Sequence, residues 1–287
     1  MAALLVTPTE LRAAIERGEA RAVDCRFDLM DPAGGRSLWA GSHIPGAPYA
    51  DLDQDLAGPA RRGGGRHPLP EPVDFAAKLE RWGIAPDMLV VAYDNMGGAI
   101  AARLWWMLKW MGHERAGLLD GGMQAWEAAK LPLERKAPVI EPTEYPAGGH
   151  CRPVVDLARV ERAAATGELR ILDARDAARY QGLSEPIDAQ AGHVPGAVNA
   201  FFRDNLGADG RFLPPGELRA LYLERLDGVE PGQACVMCGS GVTACHDLFA
   251  MERAGLPGAA LYPGSWSEWS QSGSRPVARG PAPGGPA

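Results

Sequence analysis

One of the five cysteines, Cys238, stands where an apolar run meets a glycine-rich loop. Residues 234–237 favour a buried strand, and residues 244–254 repeat apolar side chains at helical spacing before Gly255. The loop between them therefore directs several backbone N–H groups and the amino end of a helix at one point. Both features favour negative charge, so we expect Cys238 to be a thiolate nucleophile whose product is also anionic.

The loop after this cysteine reads Gly239-Ser240-Gly241-Val242-Thr243. The two glycines favour a tight curl, because other residues resist positive φ. A serine hydroxyl can hydrogen-bond a carbonyl or carry a proton, which makes Ser240 a catalytic candidate. We expect the other four residues to contact the substrate.

Other interpretations of Cys238 remain open at this point. A buried cysteine often only fills space. Cys235 and Cys238 have the spacing of half a zinc site or a redox pair, but Cys25 and Cys151 stand alone, and Cys235 falls inside the strand. Cysteine-dependent phosphatases and arsenate reductases usually carry an arginine six residues after the cysteine, where this chain has Ala244.

Four sequence signatures occur twice in the same order, which identifies a tandem duplication of one domain. Asp94 stands in the first copy where the second copy has Cys238, so only the second copy is expected to be catalytic. The paired segments are 23–26 with 172–175, 42–47 with 192–197, 89–98 with 234–242, and 119–122 with 262–265.

Each copy alternates short β-rich runs with helical patterns, which predicts βα units and a parallel sheet flanked by helices. Residues 135–152 are rich in Pro and Gly and are expected to form a linker between the two domains. We expect the last ten residues to be disordered, because they bury little apolar surface. The predicted division is 5–134 for the first domain, 153–272 for the second, and 273–287 for a Pro/Gly-rich tail.

Charge and composition exclude several classes of protein. The 29 basic and 36 acidic residues leave a net charge of −7, which argues against binding to nucleic acid or to an anionic membrane. No apolar run has the length of a transmembrane helix, and the first residues lack the pattern of a signal peptide. We therefore expect a cytoplasmic enzyme with reduced thiols, and the chemistry of Cys238 needs no metal or organic cofactor.

Three features resemble the tandem-rhodanese sulfurtransferases: the Asp-x-Arg strand ends, the His-hydrophobic-Pro-Gly motifs, and the cysteine loop before a helix. The resemblance covers about residues 5–272. The segment Cys238 to Cys245, followed by the GSWSEW segment at 264–269, is similar to the 3-mercaptopyruvate sulfurtransferase branch.

The resemblance implies a ping-pong reaction through a persulfide on Cys238. A small anionic sulfur donor loads the enzyme, and a thiol, a thioredoxin-like protein or cyanide removes the sulfur. The thiosulfate branch typically has basic residues in the loop, whereas Gly239 and Ser240 are neutral, which favours 3-mercaptopyruvate as donor. Thiosulfate:cyanide sulfurtransferase activity and a sulfur carrier without turnover remain the alternatives.

The resemblance also assigns Arg179 as the ligand of the donor carboxylate, since a guanidinium binds a carboxylate with two parallel hydrogen bonds. The 3-mercaptopyruvate branch usually has a second arginine after Glu-Pro-x, but this chain has Asp188 there, which is more typical of the thiosulfate branch. Arg203 and Arg211 are candidates for the missing second arginine.

His67 and Asp53, both in the first copy, match positions that the 3-mercaptopyruvate branch uses beside its cysteine loop. The resemblance predicts a Ser240–His67–Asp53 relay that moves protons, with the carboxylate orienting the imidazole. The alternative is an ordinary loop histidine that follows three glycines.

Duplicated residues that occur in both copies are assigned to structure. Asp24 with Arg26, and Asp173 with Arg175, face one side of a strand end and are expected to hold neighbouring loops. The histidines of the two His-hydrophobic-Pro-Gly motifs also occur in the copy that lacks the cysteine, so a packing role is expected for them.

Overall fold

Two parallel four-stranded sheets form the framework of the computed structural model, which describes residues 4–28, 30–31, 33–148 and 151–284. The elements of the first half are β1 (Leu4–Val6), α1 (Pro8–Glu16), β2 (Ala20–Asp24), α2 (Gly34–Gly41), α3 (Pro72–Arg81), β3 (Leu89–Tyr93), α4 (Ala101–Trp110), β4 (Ala116–Leu119) and α5 (Gly122–Ala128). Those of the second half are α6 (Leu157–Thr166), β5 (Arg170–Asp173), α7 (Ala177–Tyr180), β6 (Val198–Asn199), α8 (Pro215–Leu226), β7 (Ala234–Met237), α9 (Ala244–Arg253), β8 (Ala260–Leu261) and α10 (Ser265–Trp269).

The two sheets share one topology. Their strand orders are β1-β4-β3-β2 and β6-β5-β7-β8, and every named pair is parallel. A bridge from Val154 to Leu261 takes the place of β1 in the second sheet, and a bridge from Asp24 to Tyr49 takes the place of β6 in the first. The predicted fold class, two tandem domains with parallel sheets flanked by helices, is confirmed.

Two helices that are buried on nearly all sides, α4 and α9, pack the domains together. All but one of the residues of α4 are buried, because one face covers the first sheet and another meets α9. The Trp105 and Phe249 rings meet edge to face with centroids 4.9 Å apart. One buried cluster therefore runs through both domains, and it includes the tryptophans of α4.

The Asp-x-Arg pairs hold the loops beside the strand ends, as predicted. Arg26 pairs with Asp24 and donates to the Ser42 carbonyl, and Arg175 pairs with Asp173 and donates to the Gly192 carbonyl. All four pairing side chains are buried.

The duplicated histidines are buried outside the site described below. His43 Nδ1 hydrogen-bonds the carbonyl of Trp39 at 2.7 Å, and His193 Nδ1 hydrogen-bonds that of Tyr180 at 2.8 Å. This packing role agrees with their occurrence in both copies.

The tail differs from the prediction. Ala278 forms an antiparallel bridge with His193, and the Gly196 N–H donates to the Pro283 carbonyl. The expected disorder is wrong for residues 278–284, because backbone pairing replaces the apolar contacts that they lack; residues 285–287 lie outside the described part. No helix of the described residues is long and apolar enough to cross a membrane.

Candidate active site

Cys238 lies directly after β7, on the floor of a cleft of about 1140 Å³ between the two domains. The thiol-bearing residue is only 2% exposed. The two domains both contribute to the walls, which include Leu52 and Met96 from the first and Phe202 from the second. Val242 and Thr243 line the same cleft.

The loop backbone is held by the turn that precedes α10. The Cys238 N–H donates to Ser265 Oγ at 3.1 Å, and the carbonyls of Cys238 and Gly239 accept from the N–H groups of Trp266 and Ser267. These hydrogen bonds fix the loop before any substrate arrives.

Only one of the two loop glycines is required for the tight curl. Gly241 has a φ of +76°, and a Cβ there would lie 2.7 Å from the Pro263 carbonyl oxygen. Gly239 is absent from the positive-φ residues of the described chain, so the expectation is wrong for this residue. What distinguishes Gly239 is the presence of two guanidinium groups above its Cα atom.

The backbone N–H groups of residues 239–243 have no acceptor among the described residues. The equivalent loop of the first domain is different, because the Asp94 carboxylate accepts four backbone N–H groups of its own loop. Those donors are Met96 at 2.8 Å, Gly98 at 2.9 Å, Ile100 at 2.8 Å and Ala101 at 2.9 Å. The loop N–H groups form a cradle for negative charge in both domains. In the first domain the Asp94 carboxylate occupies this cradle, whereas in the second domain the cradle can bind an anion at Cys238.

Ser240, His67 and Asp53 lie within hydrogen-bond distance of one another. Ser240 Oγ is 2.7 Å from His67 Nδ1, and His67 Nε2 is 3.0 Å from Asp53 Oδ1. A carboxylate can only accept, so Nε2 carries the proton and Ser240 donates to Nδ1. Burial, assisted by the guanidinium groups of Arg103 and Arg66, lowers the pKa of His67 to about 3. His67 is therefore neutral at physiological pH.

Arg103 of α4, a residue that sequence reasoning missed, holds these three side chains against the cysteine loop. Its fully buried guanidinium donates to the carbonyls of Gly241 and His67 at 3.1 Å, and also to those of Leu56 and Pro68. The apolar helix around it gave no signal, because an isolated arginine there resembles one that reaches solvent.

Arg179 reaches the cleft but has carboxylate partners of its own. Glu185 accepts from its Nε and Nη2, and Asp188 accepts from its Nη2 at 2.9 Å. Asp188 also accepts from Nη1 of Arg66 at 2.9 Å, which brings in a second arginine from the first domain.

The two arginines that the sequence offered as substitutes differ in position. Arg211 pairs with Asp120 and is not among the residues that line the cleft, whereas Arg203 lines the cleft and lies over the Phe202 ring. Sequence reasoning also missed Arg66, and the feature that could have identified it is its position next to His67.

All five cysteines are free, so none of them forms a disulfide with Cys238. Cys235 of β7 packs in a different apolar cluster from Cys238, which directly follows that strand, and burial raises the pKa of Cys235 to about 12. Cys245 hydrogen-bonds the Gly241 carbonyl, and burial raises its pKa to about 12. No cluster of three or more His, Cys, Asp or Glu that could hold a metal occurs in the described ranges.

Comparison with known proteins adds independent evidence. A rhodanese-like domain model matches residues 7–129 and 156–272. The chain is 46% identical over 281 residues to a provisionally named 3-mercaptopyruvate sulfurtransferase of Pseudomonas aeruginosa, covering 97% of this chain and 99% of that one. It is 38% identical over 289 residues to a provisionally named thiosulfate sulfurtransferase, SseB, of Mycobacterium tuberculosis, covering 97% and 98%. The crystal structure of the 3-mercaptopyruvate sulfurtransferase SseA from Escherichia coli superposes with a TM-score of 0.79 at 31% identity, covering 92% and 99%.

Proposed function

The chain belongs to the family of proteins with rhodanese-like domains, and on that basis we propose that it transfers sulfur from 3-mercaptopyruvate through a Cys238 persulfide. The observation that carries the proposal is the contrast between the two equivalent loops. Asp94 satisfies four N–H groups in the first domain, whereas the N–H groups around Cys238 have no acceptor among the described residues. A persulfide anion supplies the negative charge that such a cradle stabilises.

In the first half-reaction the Cys238 thiolate attacks the sulfur of the donor. A sulfur–sulfur bond forms, the carbon–sulfur bond of the donor breaks, and its electron pair leaves on carbon as the enolate of pyruvate. The proton of the donor thiol moves to that carbon, which yields pyruvate and a Cys238 persulfide anion. We propose that Ser240 carries this proton, which its hydrogen bond to neutral His67 supports.

In the second half-reaction a thiol, a thioredoxin-like protein or cyanide takes the outer sulfur. Attack on that sulfur breaks the sulfur–sulfur bond, and its electron pair returns to Cys238 as the thiolate. The products are a persulfide of the acceptor, or thiocyanate when the acceptor is cyanide. Both the Cys238 thiolate and a thiol acceptor need reducing conditions, so we propose the cytoplasm as the compartment.

The charge of the site supports a donor with a single negative charge. The charges of Arg66 and Arg179 are matched by those of Glu185 and Asp188, so these two arginines offer no excess positive charge to the doubly charged thiosulfate. The loop itself is neutral at Gly239 and Ser240. Thiosulfate is the second candidate donor, and the similarity to the Mycobacterium tuberculosis protein favours it.

The test is a comparison of kcat/KM for 3-mercaptopyruvate and thiosulfate with cyanide and a small thiol as acceptors. We expect a preference for 3-mercaptopyruvate over many turnovers and loss of transfer in Cys238→Ser. Cys151→Ser, which changes an exposed cysteine outside the cleft, is the matched control and should transfer sulfur normally.

Each other outcome rejects part of the proposal. A preference for thiosulfate would reject the donor, and a single turnover would favour the carrier function. Sulfur transfer by Cys238→Ser would reject the persulfide mechanism.

A further inference from the structure

Arg103 of α4 is a fully buried cation that has no carboxylate partner among the described residues. Its guanidinium donates instead to four backbone carbonyls, those of Leu56, His67, Pro68 and Gly241. Burial lowers the pKa of Arg103, and negative charge at Cys245 or Cys238 opposes that shift. Because a buried charge is costly without an opposite charge, Arg103 favours an anion nearby.

Each domain holds the other domain's loop from the same helical position. Arg103 is the third residue of α4, and His246 is the third residue of α9. Nη1 of Arg103 donates to the Gly241 carbonyl at 3.1 Å, and Nε2 of His246 donates to the Gly97 carbonyl at 3.0 Å. Gly97 and Gly241 occupy equivalent positions in the two loops, and both have positive φ. Arg103 and His246 are therefore structural counterparts.

The charges at these equivalent places differ. In the first domain the Asp94 carboxylate supplies a fixed negative charge to the loop, and its counterpart from the other domain is neutral, since burial lowers the pKa of His246 to about 4. In the second domain the loop carries a thiol, whose charge changes during the reaction, and the counterpart is a permanent cation. An anion at Cys238 would match the charge that Arg103 brings to the interface.

We propose that Arg103 is a positioning residue for sulfur transfer, supplied by the domain without a cysteine, whose charge stabilises the thiolate and the persulfide anion at Cys238. It acts through the cysteine loop, because it is not among the described residues that line the cleft. This inference rests on the proposed function for the persulfide, whereas its effect on the thiolate is measurable without any sulfur donor.

The competing explanation is that Arg103 only joins backbone segments of the two domains. Arg103→Gln keeps two N–H donors without a charge, and Arg103→Lys keeps the charge with three N–H donors; both lose the planar fork of arginine. The probe is iodoacetamide, which is neutral and reacts with thiolates. Alkylation of Cys238 is followed by mass spectrometry of its peptide, in a Cys151→Ser background that removes an exposed cysteine.

At pH 7, Arg103→Gln should slow the alkylation of Cys238 about tenfold or more, and Arg103→Lys should stay within about threefold of the wild type. The loss in Arg103→Gln should shrink as the pH rises towards about 10, because an ordinary thiol ionises there without help. Equal slowing in both variants, or a loss that does not change with pH, would overturn the inference.

The other ionisable groups near Cys238 are the same in every variant, so they do not produce a difference between the Gln and Lys substitutions. They are neutral His67, Cys245 with a pKa of about 12, and Arg66 and Arg179, which both pair with Asp188.

His246→Leu is the matched control, because it removes the equivalent hydrogen bond between the domains without removing a charge. It should unfold at a lower urea concentration than the wild type and still alkylate Cys238 at the wild-type rate. Slow alkylation in His246→Leu would assign the effect to looser packing of the domains and contradict the inference.

If Arg103→Gln does not fold, the same interaction is measured from the side of the cysteine. Cys238→Asp places a carboxylate where the first domain has Asp94, so at pH 7.5 it should unfold at a higher urea concentration than Cys238→Asn. An equal or lower midpoint for Cys238→Asp would overturn the inference.

Turnover separates this inference from the proposed function. With 3-mercaptopyruvate, Arg103→Gln should lower kcat by about 10² and change KM less than about threefold, because Arg103 acts on the sulfur anion and not on the bound donor. Wild-type kcat and alkylation in Arg103→Gln would reject the inference alone. Absence of Cys238-dependent sulfur transfer by the wild-type protein would reject the proposed function, and the alkylation rates would still decide whether Arg103 stabilises the thiolate.

Discussion

At the scale of single residues, the proposed proton relay depends on a histidine that stays neutral. His67 is 3% exposed and lies near two guanidinium groups, which is why its pKa falls to about 3. A base of this strength does not store a proton near neutral pH. In the proposed relay His67 accepts the hydrogen bond of Ser240, which holds the Ser240 oxygen in the cleft.

This neutrality predicts the pH dependence of catalysis. Between pH 5 and 8 the charge of His67 does not change, so kcat/KM should show no bend from this residue. His67→Asn should lower kcat/KM by about 10² or more at every pH in this range, with a profile parallel to that of the wild type.

His113→Asn is the matched control, because His113 is also a buried histidine but contacts Tyr145 and the Met88 carbonyl outside the cleft. A bend between pH 5 and 7 that disappears in His67→Asn would contradict the assignment.

At the scale of elements, the strand–loop–helix unit occurs twice with different contents. In the second domain the loop after β7 is held from outside by the turn before α10. In the first domain the loop after β3 is held from inside, because the Asp94 carboxylate accepts from four N–H groups. The same backbone conformation thus stabilises the Asp94 carboxylate in the first domain and remains available for an anion formed at Cys238 in the second.

Asp94→Asn should therefore destabilise the protein without removing its activity. The amide has one acceptor oxygen and directs N–H groups at donors that the carboxylate satisfied, which we expect to cost about 3 kcal/mol. The measurement is urea unfolding, together with kcat/KM under native conditions.

Asp87→Asn, which changes an exposed aspartate of the same domain, should unfold like the wild type. Wild-type stability of Asp94→Asn would show that the cradle of the first domain does not depend on the charge.

At the scale of the whole molecule, sequence reasoning succeeded where information was local or repeated. The duplication predicted both sheets, and the loop at Cys238 with its succeeding helix could be read from adjacent residues. Arg66 was missed although it adjoins His67, because its position in the cleft depends on a three-glycine loop that docks onto a segment about two hundred residues away. Arg103 was equally hidden, since its four carbonyl partners come from both domains.

Packing of the two domains also determines how stability responds to pH. Burial lowers the pKa of His67 to about 3 and that of His246 to about 4, and His246 Nε2 hydrogen-bonds the Gly97 carbonyl across the interface. Both stay neutral when folded and gain a proton near pH 6.5 when unfolded. Their contribution to the free energy of unfolding is complete above pH 6.5. Below that pH, each histidine lowers the free energy of unfolding by about 1.4 kcal/mol per pH unit.

Asp247 acts in the opposite direction. Burial raises its pKa to about 7, so the folded protein holds a proton there that the unfolded chain releases above about pH 4. Its contribution therefore grows as the pH falls from 7 to 4, by about 1.4 kcal/mol per unit. Because two histidines oppose one aspartate, we expect a net loss of about 3 kcal/mol between pH 6.5 and 4.5.

Asp247→Asn should remove the opposing contribution and steepen this loss. Urea midpoints at a series of pH values would show the variant gaining on the wild type as the pH rises from 4.5 to 7.5, because an amide keeps the Asn205 hydrogen bond without a charge. Asp227→Asn, at an exposed aspartate, should run parallel to the wild type. If the Asp247→Asn and wild-type curves were parallel as well, the buried carboxyl would not be protonated in the folded protein.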